Sequence, residues 1–331
     1  NMLGTILITG GFGYIGRHTC ISLLQDGYKV VIVDTKKIEI LEEINNQIYK
    51  VTGEKAILNS LRINSKEDLR NIFNKYNIDV VIHLAGVKSV SDFYMYPLES
   101  MDKEILLISN ILAVMNEFNI KKIIYPSSIL VYSGVNKMPL TERSKLNRIN
   151  PYSKCKIFIE DLFHDLNDSD DSWNIIILRY SNTIGIHQSG VIDGYTPEKP
   201  NNLTSCIMAF FANEISSVKL YGNNFDTKDG TCERDYIHVV DVANANLSSV
   251  NYLINENIKR PLILNISSGK NHSVIEVISE FEDVFNRNIN YEIMPRRSSD
   301  VSCSYSNNSL AKKIIEWEPK SKLNDIVKSF I

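Results

Sequence analysis

The chain opens on an apolar run, Ile6-Leu7-Ile8, that ends in Thr9-Gly10-Gly11-Phe12-Gly13-Tyr14-Ile15-Gly16 and passes at once into helical periodicity from Tyr14 to Gln25. The next apolar run, Val30-Val31-Ile32-Val33, stops at Asp34. From there strand-like and helix-like segments take turns. A helical pattern covers about 38–49 and Ala56-Ile57-Leu58 reads as a third strand. Ser65, with Glu67 and Asp68 behind it, reads as the cap and acidic first turn of a helix to about Lys75. The run from Asp79 to Gly86 is a fourth buried strand ending in glycine, a long apolar helix spans about 98–118, and Lys122 to Ser128 is the fifth strand. Pro151 sits where a helix starts without losing a hydrogen bond, and Ile175 to Tyr180 is the sixth strand. Apolar strands alternating with helices at this spacing predict an α/β fold, a doubly wound parallel sheet with right-handed crossovers.

Past about residue 184 the pattern changes. Positions 186–202 form a loop rich in Gly, Pro and polar residues, and regular alternation does not resume, although Pro261 to Ile266 reads as a strand returning to the large sheet. The expected division is a nucleotide-binding domain over 1–183 and a smaller, mixed substrate lobe over 184–331, with the boundary crossed more than once. A length of 331 residues suits two such lobes. The formal net charge of −3 gives no electrostatic footprint for nucleic acid or an anionic membrane. Five scattered cysteines without a C-x-x-C pair argue against a metal or disulfide framework and for a reducing, cytoplasmic compartment. No apolar run approaches the ~20 residues that span a bilayer, and the first one reads as a core strand instead of a leader.

The candidate chemistry begins at the glycines. A strand that turns directly into a helix leaves the first helical N–H groups pointing outward, with the positive end of the helix dipole behind them, which suits a pyrophosphate. Gly10 permits the tight turn, Gly13 lets backbone approach phosphate, and Gly16 lets the helix lie close to the strand. Asp34, at the end of the second strand, stands where a dinucleotide fold meets the adenosine ribose hydroxyls. Tyr152 and Lys156 lie four residues apart on a helix, so both project from one face. Lys156, held near the tyrosine hydroxyl and a positive nicotinamide ring, would favour phenolate over phenol. Such a base takes a hydroxyl proton while hydride leaves the same carbon, with Ser128 hydrogen-bonding the reacting oxygen. His83 and His238 lie in apolar runs and read as structural.

Thr9 to Gly16, His83-Leu84-Ala85-Gly86, Ser127-Ser128, Tyr152-x-x-x-Lys156 and Leu178-Arg179-Tyr180 together resemble the extended short-chain dehydrogenase/reductase family, with its Rossmann-type sheet. Further matches resemble its UDP-galactose 4-epimerase branch over nearly the whole chain. They are Gly13-Tyr14-Ile15-Gly16 with His18-Thr19, Ala85-Gly86-Val87-Lys88, Pro200-Asn201-Asn202-Leu203, Asp229-Gly230-Thr231, Arg234-Asp235-Tyr236-Ile237-His238-Val239 and Pro295-Arg296-Arg297. The resemblance implies NAD-dependent epimerisation at C4 of a UDP-hexose: hydride is abstracted, the 4-keto sugar turns over, and hydride returns to its other face. It implies Tyr152 as the base, Ser128 as its support and Lys156 on the cofactor ribose. Gly10, Gly13, Tyr14, Ile15, Gly16, Asp34, Ala85, Gly86 and Lys88 would complete the NAD site. Ser128, Tyr152, Asn182, Asn202, Leu203, Arg234, Arg297 and Asp300 would hold the UDP-sugar. It also implies a homodimer, formed through the helices that start near Leu98 and Tyr152.

Several positions depart from that family's pattern. Ser60 stands where an acid commonly meets the adenine amine, Lys103-Glu104 where an Asn pair lies near the cofactor, Leu130 in place of Thr, and Ser181 in place of Phe. Ser304 stands where a larger residue limits the space around the sugar 2-substituent, so an N-acetyl sugar is a further candidate. A 4,6-dehydratase would carry an Asp-Glu pair where Ile129 and Leu130 stand. A non-catalytic paralogue that binds nucleotide as a sensor or scaffold is the alternative from another class.

Overall fold

A computed structural model describes residues 3–87, 89–132, 134, 137–192, 202–297 and 300–331. In chain order it runs β1 (Thr5–Thr9), α1 (Tyr14–Gln25), β2 (Lys29–Asp34), α2 (Ile38–Thr52), β3 (Ile57–Ser60), α3 (Lys66–Lys75) and β4 (Val80–His83). There follow α4 (Val90–Met95), α5 (Pro97–Glu117), β5 (Lys122–Ser128), α6 (Pro151–Ser169), β6 (Asn174–Tyr180) and β7 (Asn182–Ile184). The remainder is α7 (Leu203–Phe211), β8 (Val218–Tyr221), β9 (Glu233–Arg234), β10 (Tyr236–His238), α8 (Val239–Asn255), β11 (Leu262–Ile266), β12 (His272–Ser273), α9 (Val274–Phe285), β13 (Tyr291–Met294), β14 (Cys303–Ser304), α10 (Ser309–Ile315) and α11 (Leu323–Lys328).

Seven strands form one parallel sheet in the order β11-β6-β5-β4-β1-β2-β3. Strand order reverses beside β1, so the carboxyl ends of β1 and β4 flank a crevice of the kind in which open α/β sheets bind ligands. The period-two pleat assigns alternate residues of β1 to opposite cores: Ile6 and Ile8 pack with α1 and α2, Leu7 with α3 and α5. Both faces of the sheet are covered by apolar clusters, which is why these strands read as unbroken hydrophobic runs instead of alternating ones.

The expected strand at 261–266 is β11, and it pairs in parallel register with β6, Leu264 opposite Leu178. The helix that brings the chain back to it, α8, lies against α1. Its periodicity was hidden because buried polar side chains interrupt the apolar face: Asn246 donates to Thr19 Oγ1 at 2.9 Å and the Ser249 hydroxyl donates to the Ala245 carbonyl at 2.8 Å. A third apolar cluster, built by Ile207 and Phe210 of α7, Val218 of β8, Phe281 of α9 and Val327 of α11, supports the smaller part of the molecule. His238 accepts from the Val240 N–H at 3.0 Å and so caps α8, in keeping with a structural reading.

Helix α6 carries the candidate base, and its start is strongly specified. Pro151 occupies the first turn, and Asn150 Oδ1 accepts from the Ser153 N–H at 2.7 Å in a reciprocal capping box. Asn150→Ala is expected to cost about 1 kcal/mol, read from urea denaturation.

Candidate active site

The turn from β1 to α1 is as close-fitting as its glycines suggest. Gly10 has φ of +62°, and a Cβ there would stand 2.8 Å from the Ala85 backbone, so the turn lies directly on the end of β4. A Cβ at Gly16 would run into the Gly11 carbonyl, which fixes how tightly α1 leaves the sheet. Gly13, the cap residue of α1, has no side chain to close the helix end, so the first-turn N–H groups are presented to a ligand. Asp34 turns inward: its carboxylate accepts from the Phe12 N–H at 3.0 Å and from Lys36, backbone N–H and ammonium, both at 3.2 Å. It braces the glycine turn. Tyr14 donates its hydroxyl hydrogen to the Gly185 carbonyl at 2.5 Å, tying α1 to the segment that follows β7.

An open cleft of about 910 Å³ runs from this turn across the carboxyl edge of the sheet. Its wall includes Gly10, Tyr14, Ile15, Gly16, Ala85 and Gly86, then Ser128, Tyr152 and Lys156, then Asn182 and Asn202. Gly10, Tyr14, Ile15, Gly16, Ala85 and Gly86 of the predicted cofactor site are therefore brought together with Ser128, Tyr152 and Lys156, while Gly13 and Asp34 are not part of the wall. Lys88, with Pro200 and Asn201 of the substrate motif, falls outside the described residues. The glycine turn, the uncapped α1 and the adjoining cleft fit a dinucleotide pyrophosphate.

Within the cleft, Ser128 ends β5, its hydroxyl accepts from the Leu130 N–H at 3.2 Å, and it shares the cleft wall with Tyr152. The Tyr152 ring is held edge-on by Phe93, with centroids 5.5 Å apart. Lys156 donates to Glu104 Oε1 at 2.8 Å, to the Tyr125 hydroxyl at 2.9 Å and to the Pro126 carbonyl at 3.4 Å. Its ammonium stands 5.8 Å from the centre of the Tyr152 ring. In the protein alone burial pushes the Tyr152 phenol up, Lys156 pulls it down, Glu104 pushes it up again and Ser128 lowers it, and the balance remains raised. The positive ring invoked from the sequence is the further charge that would lower it. Burial also works against the Lys156 ammonium, yet Glu104, Tyr125 and Tyr152 hold it well above the ordinary lysine value. Ser127 is spent elsewhere, donating to Glu160 at 2.5 Å. His83 is bonded to Thr9 Oγ1 at 2.8 Å, and burial lowers it to about 4, so it is a neutral part of the cleft floor.

The candidate nucleotide residues form a second group. Asn202 caps α7 by accepting from the Ser205 N–H at 2.9 Å, and Leu203, the first residue of α7, packs on the third apolar cluster. Arg234 donates to the Val301 carbonyl at 2.8 Å and the Glu233 carbonyl at 2.9 Å, with Asp300 at 3.7 Å. Arg297 lies over the Tyr221 ring at 3.6 Å, and its carbonyl accepts from the Asp300 N–H at 3.2 Å. Arg234, Arg297 and Asp300 are thus gathered together, near enough for all three to act on the Cys232 thiol, but they do not form part of the cleft wall. Ser304 is 2% exposed, pairs with Arg234 across β14 and β9, and is likewise off the wall. Sequence reasoning missed the part taken by Glu104 and Tyr125, since neither carries a local signal for a partner on α6.

Residues 6–266 match the NAD-dependent epimerase/dehydratase family. The UDP-glucose 4-epimerase of Dictyostelium discoideum is 34% identical over 97% of this chain and 93% of its own. Among solved structures, UDP-glucose 4-epimerase from Stenotrophomonas maltophila, with bound NAD and formylated UDP-arabinopyranose, matches with a TM-score of 0.93 at 31% identity, covering 98% of this chain and 96% of that one. The enzyme of the same name from Bifidobacterium longum, in complex with NAD+ and UDP, matches with a TM-score of 0.91 at 34% identity and the same coverage. The sheet order, the uncapped α1 behind its glycines and these likenesses agree, and the chain belongs to the NAD-dependent epimerase/dehydratase family.

Proposed function

We propose that this chain interconverts UDP-hexoses by NAD-dependent epimerisation at C4, acting on the UDP-glucose and UDP-galactose pair. The observation that carries the reading is the meeting of Ser128, Tyr152 and Lys156 in one cleft that also reaches the open end of α1. NAD, when bound, supplies the acceptor and then the donor of the C4 hydride. Tyr152 takes the proton of the 4-hydroxyl and gives it back, and Ser128 steadies the oxygen between those two events. Lys156 keeps positive charge beside the phenol. Arg234 and Arg297, turned from their present partners, hold the diphosphate by charge-assisted hydrogen bonds, while the hexose is left loose enough to turn over. Residues 1–183 supply the cofactor half and 184–331 most of the nucleotide-sugar half.

Five scattered cysteines without a C-x-x-C pair support a reducing compartment, and we place the enzyme in the cytoplasm; among the described residues no helix is long and apolar enough to cross a membrane. Tyr94, Met95, Leu98 and Phe158 expose apolar surface on α4, α5 and α6, which supports a homodimer through that face.

The test is a proton NMR time course with UDP-galactose, and in parallel UDP-N-acetylgalactosamine, with and without added NAD. Appearance of the gluco-sugar is the expected result. Conversion of the N-acetyl sugar as well would extend the substrate class. Binding of UDP-sugar without any conversion would favour a sensor.

A further inference from the structure

One buried charge in the site has no part in the chemistry above. Glu104 of α5 is 4% exposed and borders the cleft. One of its oxygens accepts from the Lys156 ammonium at 2.8 Å, the other from the Val87 N–H at 2.8 Å. A Cβ on Gly86 would collide with the same carboxylate, so it is pressed against the strand end that the cleft passes. With both oxygens taken by donors from different elements, the negative charge is fixed in place. A buried ion pair is poor evidence for stability in itself, because desolvation cancels much of the attraction. Its position is better explained by what it does to a neighbouring charge.

The neighbour is the nicotinamide ring. On the reading above, proton and hydride leave the same sugar carbon, so a bound ring would lie near the part of the cleft lined by Tyr152, Lys156 and Glu104. Oxidised, the ring is positive; reduced, it is neutral. The ammonium of Lys156 favours the neutral form and a fixed carboxylate favours the positive one.

We propose that Glu104 is a positioning residue that sets the oxidation-state preference of the bound cofactor: its carboxylate, locked between Lys156 and the Val87 N–H, offsets the lysine charge and holds the cofactor oxidised. This rests on the reading that NAD binds in this cleft. The reach of the charge is visible already, since Glu104 raises both Tyr152 and Lys156. An epimerase that must begin every turnover with oxidised cofactor gains from such a bias, because cofactor left reduced after a lost keto-sugar is a dead end.

The experiment measures affinity for NAD+ by calorimetry and for NADH by its fluorescence, on cofactor-depleted protein, in wild type, Glu104→Gln and Glu104→Asp. The Gln variant is expected to move the preference towards NADH by roughly tenfold or more, from the loss of one unit charge at short range. In the reloaded protein a tenfold change raises the midpoint potential by about 30 mV for this two-electron couple. The Asp variant keeps the charge and is expected to stay near wild type. An unchanged ratio in the Gln variant, or an equal shift in the Asp variant, overturns the proposal, because a merely structural glutamate would weaken both nucleotides alike. Should Glu104→Gln fail to fold, Glu104→Asn is judged by the same ratio. Wild-type protein that bound neither nucleotide would overturn the cofactor reading, and this inference with it.

Discussion

Replacing Tyr152 with Phe is expected to lower kcat for sugar interconversion by at least about 10²-fold, the usual worth of a positioned acid/base group, with little change in KM. The structure makes this a narrow perturbation. Phe93 packs against the ring, not the hydroxyl, so the slot that holds residue 152 is kept. Lys156 sends its hydrogen bonds to Glu104, Tyr125 and Pro126, so its position does not depend on the lost oxygen. What disappears is one hydroxyl on the cleft wall that Tyr152 shares with Ser128. Steady-state kinetics beside a thermal midpoint and an NAD titration would separate a chemical defect from a folding or binding defect. Full activity in this variant would remove Tyr152 from the mechanism. A matched loss of NAD affinity would make it a cofactor contact first.

That prediction was legible in the sequence because it depends on local rules. Gly10 to Gly16 between a strand and a helix, Pro151 in a first turn, and a Tyr-Lys pair at helical spacing all act within a few residues, and the fold places each as expected. Ser128 is similar, since the end of a buried strand in an open sheet is already an address for chemistry. What lay beyond the sequence depends on pairs distant along the chain. Glu104 stood out only as a departure near Lys103, and nothing local shows that α5 and α6 bring it to Lys156. Asp34 also closes on Phe12 and Lys36, a pair of contacts that no spacing rule carries. The helix α8 was missed because buried Asn and Ser residues look polar in a pattern search, although each is satisfied inside the fold.

Arg179→Met is expected to cost about 3–5 kcal/mol of stability, because it leaves a buried carboxylate without its counter-ion. Arg179 is 2% exposed and reaches from β6 to Glu160 in the middle of α6. Its Nε donates to Glu160 Oε1 at 3.0 Å, a second bond joins the other guanidinium nitrogen to Oε2 of the same residue, and Nη1 donates to the Tyr132 hydroxyl at 2.6 Å. Tyr132 passes its own hydrogen to Asn265 of β11 at 2.7 Å, and Ser127 of β5 completes the carboxylate. The network therefore joins three strands to the helix that carries Tyr152 and Lys156, one turn past the lysine. Glu160→Gln alone should also destabilise, since the guanidinium then lacks its charge partner. Combining Arg179→Met with Glu160→Leu is expected to recover part of the loss, as buried ion pairs exchanged whole for apolar groups do better than those broken by halves. Denaturant midpoints for Arg179→Met, Glu160→Leu and the double variant supply the coupling energy. Recovery of stability without recovery of kcat would show that the ion pair aims α6 as well as anchoring it, whereas recovery of both would confine its role to the core.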